Sequence, residues 1–248
     1  MSLMTALIIL VTVLVTTFIS GIFGMAGGII FMGVLAALLP VATAMIVHGT
    51  IQIFSNGYRA FLWRAHINWT IFGRYALGSL VAVGLLFALS WRPGHQVVYL
   101  MLGLTTTLVW LPKSIVDLDI QKRFQAEGAG FVVQALNTVA GVAGPLLDLF
   151  FVRTDMTRHQ IVATKAVTQV LAHFVKVVFW SVPVIMAAGA SALPPAWLIL
   201  AAIPLSMLGT TLGGKVLERM TDVNFKKSMK YLVTAIGAVM LMKAAGWL

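Results

Sequence analysis

Two sets of polar residues stand at helical spacing inside otherwise apolar sequence. His48, Gln52, Asn56 and Arg59 recur at i, i+4, i+8 and i+11, and Lys165, Gln169, His173 and Lys176 repeat the same intervals. At 3.6 residues per turn each set lines one face of a helix. The side chains are cations and hydrogen-bond donors, and Asp148 is the one acid in the apolar stretch beside them. Charge at the centre of a membrane helix costs roughly 2.5–3.5 kcal/mol on insertion scales, so such residues face a bundle interior and serve a pathway. Lys165 lies about 12 Å along a helix begun at Thr157, too deep to snorkel easily. Arg59 and Lys176 sit within about a turn of the ends of their apolar runs, where a long side chain either snorkels to headgroups or joins a pathway. Asp148 has two readings. It pairs with Lys165 or Lys176, or it carries a coupling proton.

Backbone supplies the second component. Gly21-Ile22-Phe23-Gly24-Met25-Ala26-Gly27-Gly28 and Gly141-Val142-Ala143-Gly144-Pro145 interrupt apolar runs. Such breaks are tolerated at membrane depth only against protein or a wet cavity; the alternative is close packing through small residues. A helix that starts after Gly27-Gly28, or at Pro145, points free N–H groups and a positive dipole end into the protein, an anion site before any side chain is added. The sequence thus predicts a substrate shell of Gly27, Gly28, His48, Gln52, Gly144, Pro145, Thr164, Lys165, Thr168 and Gln169, with the Thr50 hydroxyl at hand. Asp148, His173, Lys176 and Arg59 are candidates for coupling or ion pairing. Intramembrane cations outnumber acids, which suits an anion rather than a cation.

The two halves are related. At an offset of 117, Gly24, Ala26 and Gly27 fall on Gly141, Ala143 and Gly144; His48, Gln52, Asn56 and Arg59 fall on Lys165, Gln169, His173 and Lys176. This is an internal repeat. Apolar runs cover 3–20, 21–39, 41–62, 69–90, 97–111, 128–151, 157–180, 197–212 and 230–247, with a short piece at 182–192 read as an extension or interfacial segment. The chain of 248 residues is 60% hydrophobic and 10% charged, against about 25% charged in soluble domains. Only lipid can solvate that surface. The first run lacks a basic leader and is read as a retained membrane segment.

The net charge of +10 reflects basic residues flanking apolar runs, and no basic patch interleaved with aromatics points to nucleic acid. If each broken region enters and returns to one side, the segments 63–74, 113–123, 153–158 and 215–230 share a side and hold twelve of the seventeen Lys and Arg residues. The positive-inside rule makes that side cytoplasmic and puts both termini outside. The halves then run in opposite directions. The expectation is an all-α polytopic membrane protein of two inverted-topology repeats, each a Gly-broken helical hairpin plus three transmembrane helices. Residues 1–111 form the first repeat, 112–127 a cytoplasmic linker and 128–248 the second. Inverted repeats with broken helices are the architecture of secondary transporters, with the substrate at the midplane.

Gly21–Gly28 and Gly141–Pro145, each followed by a helix with a motif like Ile161-Val162-Ala163-Thr164-Lys165-Ala166, resemble the TauE/SafE family of sulfite exporters and sulfonate permeases. The resemblance covers most of the chain in both halves. Its most specific part is Gly144-Pro145-Leu146-Leu147-Asp148 with Ala163-Thr164-Lys165, Gln169, His173 and Lys176. The first half departs where a proline commonly follows the glycines, since 31–35 has none. The resemblance implies a transporter of sulfite, thiosulfate or an organosulfonate, and the long apolar runs, which indicate helices rather than a barrel, point to the inner (cytoplasmic) membrane. Spacing alone gives only an anion.

An anion channel would share the shell without alternating access. An intramembrane enzyme fits poorly. Ser55, His48 and His173 are not framed as a nucleophile and base, and His173 with Asp148 is too small a set for a metal. The chain has no cysteine, which removes disulfides and thiolate chemistry. Neither a cofactor nor a resident metal is expected; the partners are the anion and the bilayer. Coupling ion, direction of transport and oligomeric state stay open.

Overall fold

The computed structural model describes every residue except 1, 24–25, 91, 108–109, 111–117, 152–153, 218, 220–230, 232–233, 236 and 248. The glycine break at Gly24, part of the linker at 112–117 and most of the basic segment 215–230 therefore lie outside the described residues.

The described chain is helical: α1 (Leu3–Phe23), α2 (Ala26–Leu38), α3 (Val41–Leu62), α4 (Trp69–Leu89), α5 (His95–Thr107), α6 (Gln125–Ala140), α7 (Gly144–Phe151), α8 (Arg158–Ala188) and α9 (Ala196–Leu217). Residues 237–244 are helical as well. Leu3–Ile22, Trp69–Leu89, His159–Ala188 and Ala196–Val216 are long and apolar enough to cross a bilayer. Large apolar side chains face outward as well as inward, and polar groups lie inside. Leu77, Leu80, Val81, Met186 and Leu200 are open to the surroundings, while His48, Gln134, Asn137, Thr164, Thr168 and Lys176 are buried. An apolar surface with polar side chains kept to the interior is what a lipid solvent selects.

Helix ends fall where local chemistry sets them. The Asn68 side chain accepts from the Ile71 N–H to start α4. Thr157 and Gln160 form a reciprocal capping box at the start of α8. Gly141 ends α6 at φ +87°, a left-handed conformation that glycine adopts without penalty. Two boundaries differ from the sequence reading. Helix α1 continues through Gly21, because that glycine packs against α9 rather than breaking the chain; a Cβ there would lie 2.7 Å from the Thr210 carbonyl oxygen. Helix α8 continues past residue 180 and through Pro183 to Ala188, so the piece at 182–192 is in large part an extension of it, one of its two sequence readings. At 31 residues it is about 46 Å long, and Lys176 is at its middle rather than near its end.

The principal packings are α1 on α9, α3 on α8 and α4 on α6. Glycines permit the first and third: Gly209 and Gly213 sit against the α1 backbone, and Gly78 and Gly130 bring α4 and α6 into backbone contact. Connections gather at two ends. At one, Arg74 bonds Glu127 and the Lys122 carbonyl, Asp155 N–H donates to Gln121, Ile120 N–H donates to the Phe150 carbonyl, and the Trp63 and His159 rings lie 4.6 Å apart. At the other, Thr5, Leu39, Pro40, Ser191 and Pro195 share one cavity wall, and His95 bonds the Leu39 carbonyl. Helices α1 and α2 start and finish at this second end, and α6 and α7 at the first.

Candidate functional site

Both breaks and both polar helices meet at one narrow cavity, lined by Ser20, Gly28, His48, Gln52, Asn56, Arg59, Val142, Gly144, Gln169 and His173. Gly28 is in the first turn of α2, and Gly144 opens α7 with Pro145 next in its first turn. A first helical turn leaves N–H groups without a partner inside the helix; in α7 Pro145 has none to offer and the Leu147 N–H donates to the Ala143 carbonyl, which leaves those of Gly144 and Leu146. The cavity has about 20 Å³ of space open to the centre of a water molecule, near the least that holds one water.

Gln52 and Gln169 face it from the two stripe helices, 9% and 4% exposed. The Gln169 amide nitrogen has no protein partner, and neither has His173 Nδ1. Leaving a buried donor unsatisfied costs about 1–3 kcal/mol, and a bound anion would recover that for the amide. Asn137, in the last turn of α6, is also buried with both amide atoms unpartnered. The Gln52 amide lies so close to Gly28 that a Cβ there would be 2.6 Å from its nitrogen.

The cations are placed differently from the amides. Lys176, fully buried, donates to the Gly141 carbonyl at 2.8 Å. Arg59 donates to the Ser20 carbonyl at 3.3 Å and reaches Asn56 at 3.5 Å. Ser20 and Gly141 mark the C-terminal ends of α1 and α6, so each cation meets carbonyls that have no helical partner and carry the negative end of a helix dipole. This is how a buried charge is tolerated here: the helix end left by each break is its counter-charge.

His48 joins the halves. Its Nε2–H donates to the Gly28 carbonyl at 3.0 Å, and its Nδ1 lies 2.7 Å from Lys176 Nζ. A carbonyl only accepts, so Nε2 carries the proton and Nδ1 faces Lys176. Phe31 stacks on the imidazole with centroids 5.4 Å apart, and His173 meets it edge-on at 5.4 Å.

Of the residues singled out from sequence, Gly28, His48, Gln52, Asn56, Arg59, Gly144, Gln169 and His173 line the cavity. Gly27 packs against α1, where a Cβ would fall 1.9 Å from the Thr16 carbonyl oxygen. Lys165 forms an ion pair with Asp148 and is not part of the cavity wall. Thr164 accepts from the Asn68 N–H, and the Thr168 and Thr50 hydroxyls donate to carbonyls within their own helices. Ser20, Val142 and Asn137 were not singled out. Ser20 and Asn137 are separated by 117 residues, so the repeat offset was the signal that would have found them.

A family model described as "Sulfite exporter TauE/SafE" matches residues 8–240. Neither a curated protein nor a solved structure matches the chain.

Proposed function

The chain belongs to the sulfite exporter TauE/SafE family, a family of membrane transporters, and from that membership and the cavity's chemistry we propose that it is a secondary transporter of a compact sulfur-containing anion, sulfite or an organosulfonate. The observation that carries the reading is the unpartnered Gln169 amide. A buried donor without a protein acceptor opens onto a cavity whose wall includes the starts of two half-helices. The binding groups are the Gln52 and Gln169 amides with the backbone of Gly28 and Gly144. Pro145 shapes the first turn of α7, and Gly27 lets α2 approach α1. Arg59 and Lys176 keep the surroundings positive while anchored to the ends of α1 and α6. Lys165 and Asp148 brace α7 against α8.

The proposed architecture is a pair of inverted repeats, 1–111 and 128–248, joined through 112–127. The offset of 117 supports it beyond sequence. It carries α1 onto α6 and α3 onto α8, and in the same order of elements the α1–α9 packing has its counterpart in α6–α4. It carries the Phe31–His48 stack onto the Asp148–Lys165 ion pair, and the two cation-to-carbonyl contacts onto helix ends in matching places. The two hairpins enter from opposite ends. With the cavity at the repeat interface, alternating access is the mechanism such a fold favours. The basic end is assigned to the cytoplasm and the membrane to the inner one.

The test is flux in proteoliposomes with sulfite, thiosulfate, sulfoacetate, taurine and sulfate, with and without a pH gradient. Saturable uptake of a sulfur anion, with counterflow, is expected. Conductive flux without counterflow identifies a channel, and no flux of any of the five rejects the reading.

A further inference from the structure

We infer that the His48–Lys176 bridge is the proton-coupling element of the transport cycle: one added proton breaks the hydrogen bond tying α3 to α8, and the bound anion is what allows that proton to stay. This rests on the anion-transport reading and names its coupling ion.

The geometry leaves the bridge one proton short of its full complement. Nε2 of His48 is committed as donor to Gly28, so Nδ1 and Lys176 Nζ, 2.7 Å apart, face each other across a single hydrogen bond. Either the ammonium donates to Nδ1 or Nδ1–H donates to a neutral amine. Adding a proton from water forms one N–H bond and breaks no covalent bond. It also makes both facing atoms donors, and the contact becomes repulsive. Lys176 keeps its bond to the Gly141 carbonyl and His48 its bond to the Gly28 carbonyl. The contact that gives way is therefore the one between the two halves. His173, with Nδ1 buried and unpartnered and its ring 5.4 Å from that of His48, is placed to receive a proton beside it.

The neighbouring helices leave the added charge poorly compensated. Helix α3 also bears Tyr58 and Arg59, α8 bears Arg158, His159, Lys165 and His173, and Arg92 donates to the Phe179 carbonyl of α8. Helix α2 contributes the Gly28 carbonyl and the Phe31 ring. Helix α4 brings Arg74 and Tyr75, α9 brings Lys215, and the turn after α3 brings Arg64 and His66. The acids on the packed helices are Glu127 of α6, bonded to Arg74, and Asp148 of α7, bonded to Lys165. An anion in the cavity, whose wall includes His48 and His173, supplies the missing charge. Proton and anion then each favour the other's binding by the same factor. The bridge opens only when both are present, which is the requirement for co-transport.

The full chain is reconstituted with a pH dye trapped inside the vesicles, and the probes are thiosulfate and methanesulfonate, which keep their charge near neutral pH, alongside sulfite. An inward anion gradient should carry protons inward with it, and an acidic exterior should raise accumulation by about tenfold, a usual size for coupled sites. His48→Gln can still accept from Lys176 and donate to Gly28, but it does not titrate. It should lose accumulation, with residual downhill flux flat against pH. Anion transport by the wild type without proton movement overturns the inference, as does wild-type accumulation by His48→Gln. If that variant does not fold, the wild-type dye measurement decides alone. If the wild type moves no sulfur anion, the transport reading falls as well, an outcome distinct from transport without protons.

Discussion

At the residue scale, the polar stripes separate into groups whose hydrogen bonds are filled by the protein and groups left without a partner. Gln169 belongs to the second kind. Replacing it by Leu removes an unsatisfied buried donor, so thermal stability in detergent should hold or rise. A hydrogen bond to a charged ligand contributes about 1.5–3 kcal/mol, so apparent anion affinity should fall at least about tenfold. Loss of stability with unchanged Km would place the amide in the scaffold. Lys165 belongs to the first kind. Removing it alone strands the Asp148 carboxylate, whereas removing both members of a buried pair is often neutral. Lys165→Ala should therefore lower yield and melting temperature more than Lys165→Ala/Asp148→Ala, measured by fluorescence-detected gel filtration. Both side chains are about one-fifth exposed, so the gap should be smaller than for a fully buried pair. Full transport by the double variant would leave Lys165 no role as an anion ligand. Sequence spacing was enough to find the stripes, because 3.6-residue periodicity survives in an apolar background. It could not say which members were satisfied. Arg59 and Lys176 each also bond a backbone carbonyl at a helix end, and no residue type marks those. The depth of Lys176 is hidden in the sequence for a related reason: the apolar run weakens near Pro183, but the helix does not stop there.

At the element scale, the glycines divide between two tasks that sequence alone left as alternatives. Gly28 and Gly144 border the cavity. Gly21, Gly78, Gly130, Gly209 and Gly213 instead set how closely helices cross. A Cβ at Gly78 would fall 1.8 Å from the Glu127 carbonyl oxygen, and one at Gly209 2.2 Å from Thr17 Oγ1 and 2.6 Å from the Leu14 carbonyl oxygen. Backbone cannot yield as a side-chain tip does. Overpacking typically costs about 1–3 kcal/mol, so Gly78→Ala should lower the melting temperature clearly by separating α4 from α6. Gly84→Ala, on the same helix with nothing within 4 Å of the added Cβ, is the control and should be neutral. Equal effects of the two would mean that α4 and α6 do not pack at this crossing. The helices were readable from hydropathy and the breaks from paired glycines. The choice of partner helix was not, since every apolar face is equally at home against lipid and only close backbone approach distinguishes a neighbour.

At the scale of the whole molecule, orientation follows from where charge and connections collect. Residues 63–74, 118–127 and 154–159 meet at one end through Arg74–Glu127, Gln121–Asp155 and the Trp63–His159 contact. The start of α1, the α2–α3 turn and the 190–195 segment meet at the other. The basic segments named from sequence alone overlap this first cluster, and the positive-inside rule would place such an end in the cytoplasm. The hairpins are what allow the arrangement. Were α6 and α7 together a single crossing, Gln121 and Asp155 could not share an end. Cysteine substitution reads this directly, because the chain has no cysteine of its own. Ser2, Ala65, Gln121, Asp155 and Ser191 are exposed, so each accepts a cysteine without disturbing the interior. In intact cells a membrane-impermeant maleimide should label Ser2→Cys and Ser191→Cys, whereas Ala65→Cys, Gln121→Cys and Asp155→Cys should react only after permeabilisation. The reverse pattern would invert the protein in the membrane and keep the fold. Labelling of Gln121→Cys and Asp155→Cys from opposite sides would break the hairpin formed by α6 and α7, and with it the premise that two half-helices face each other across one anion site.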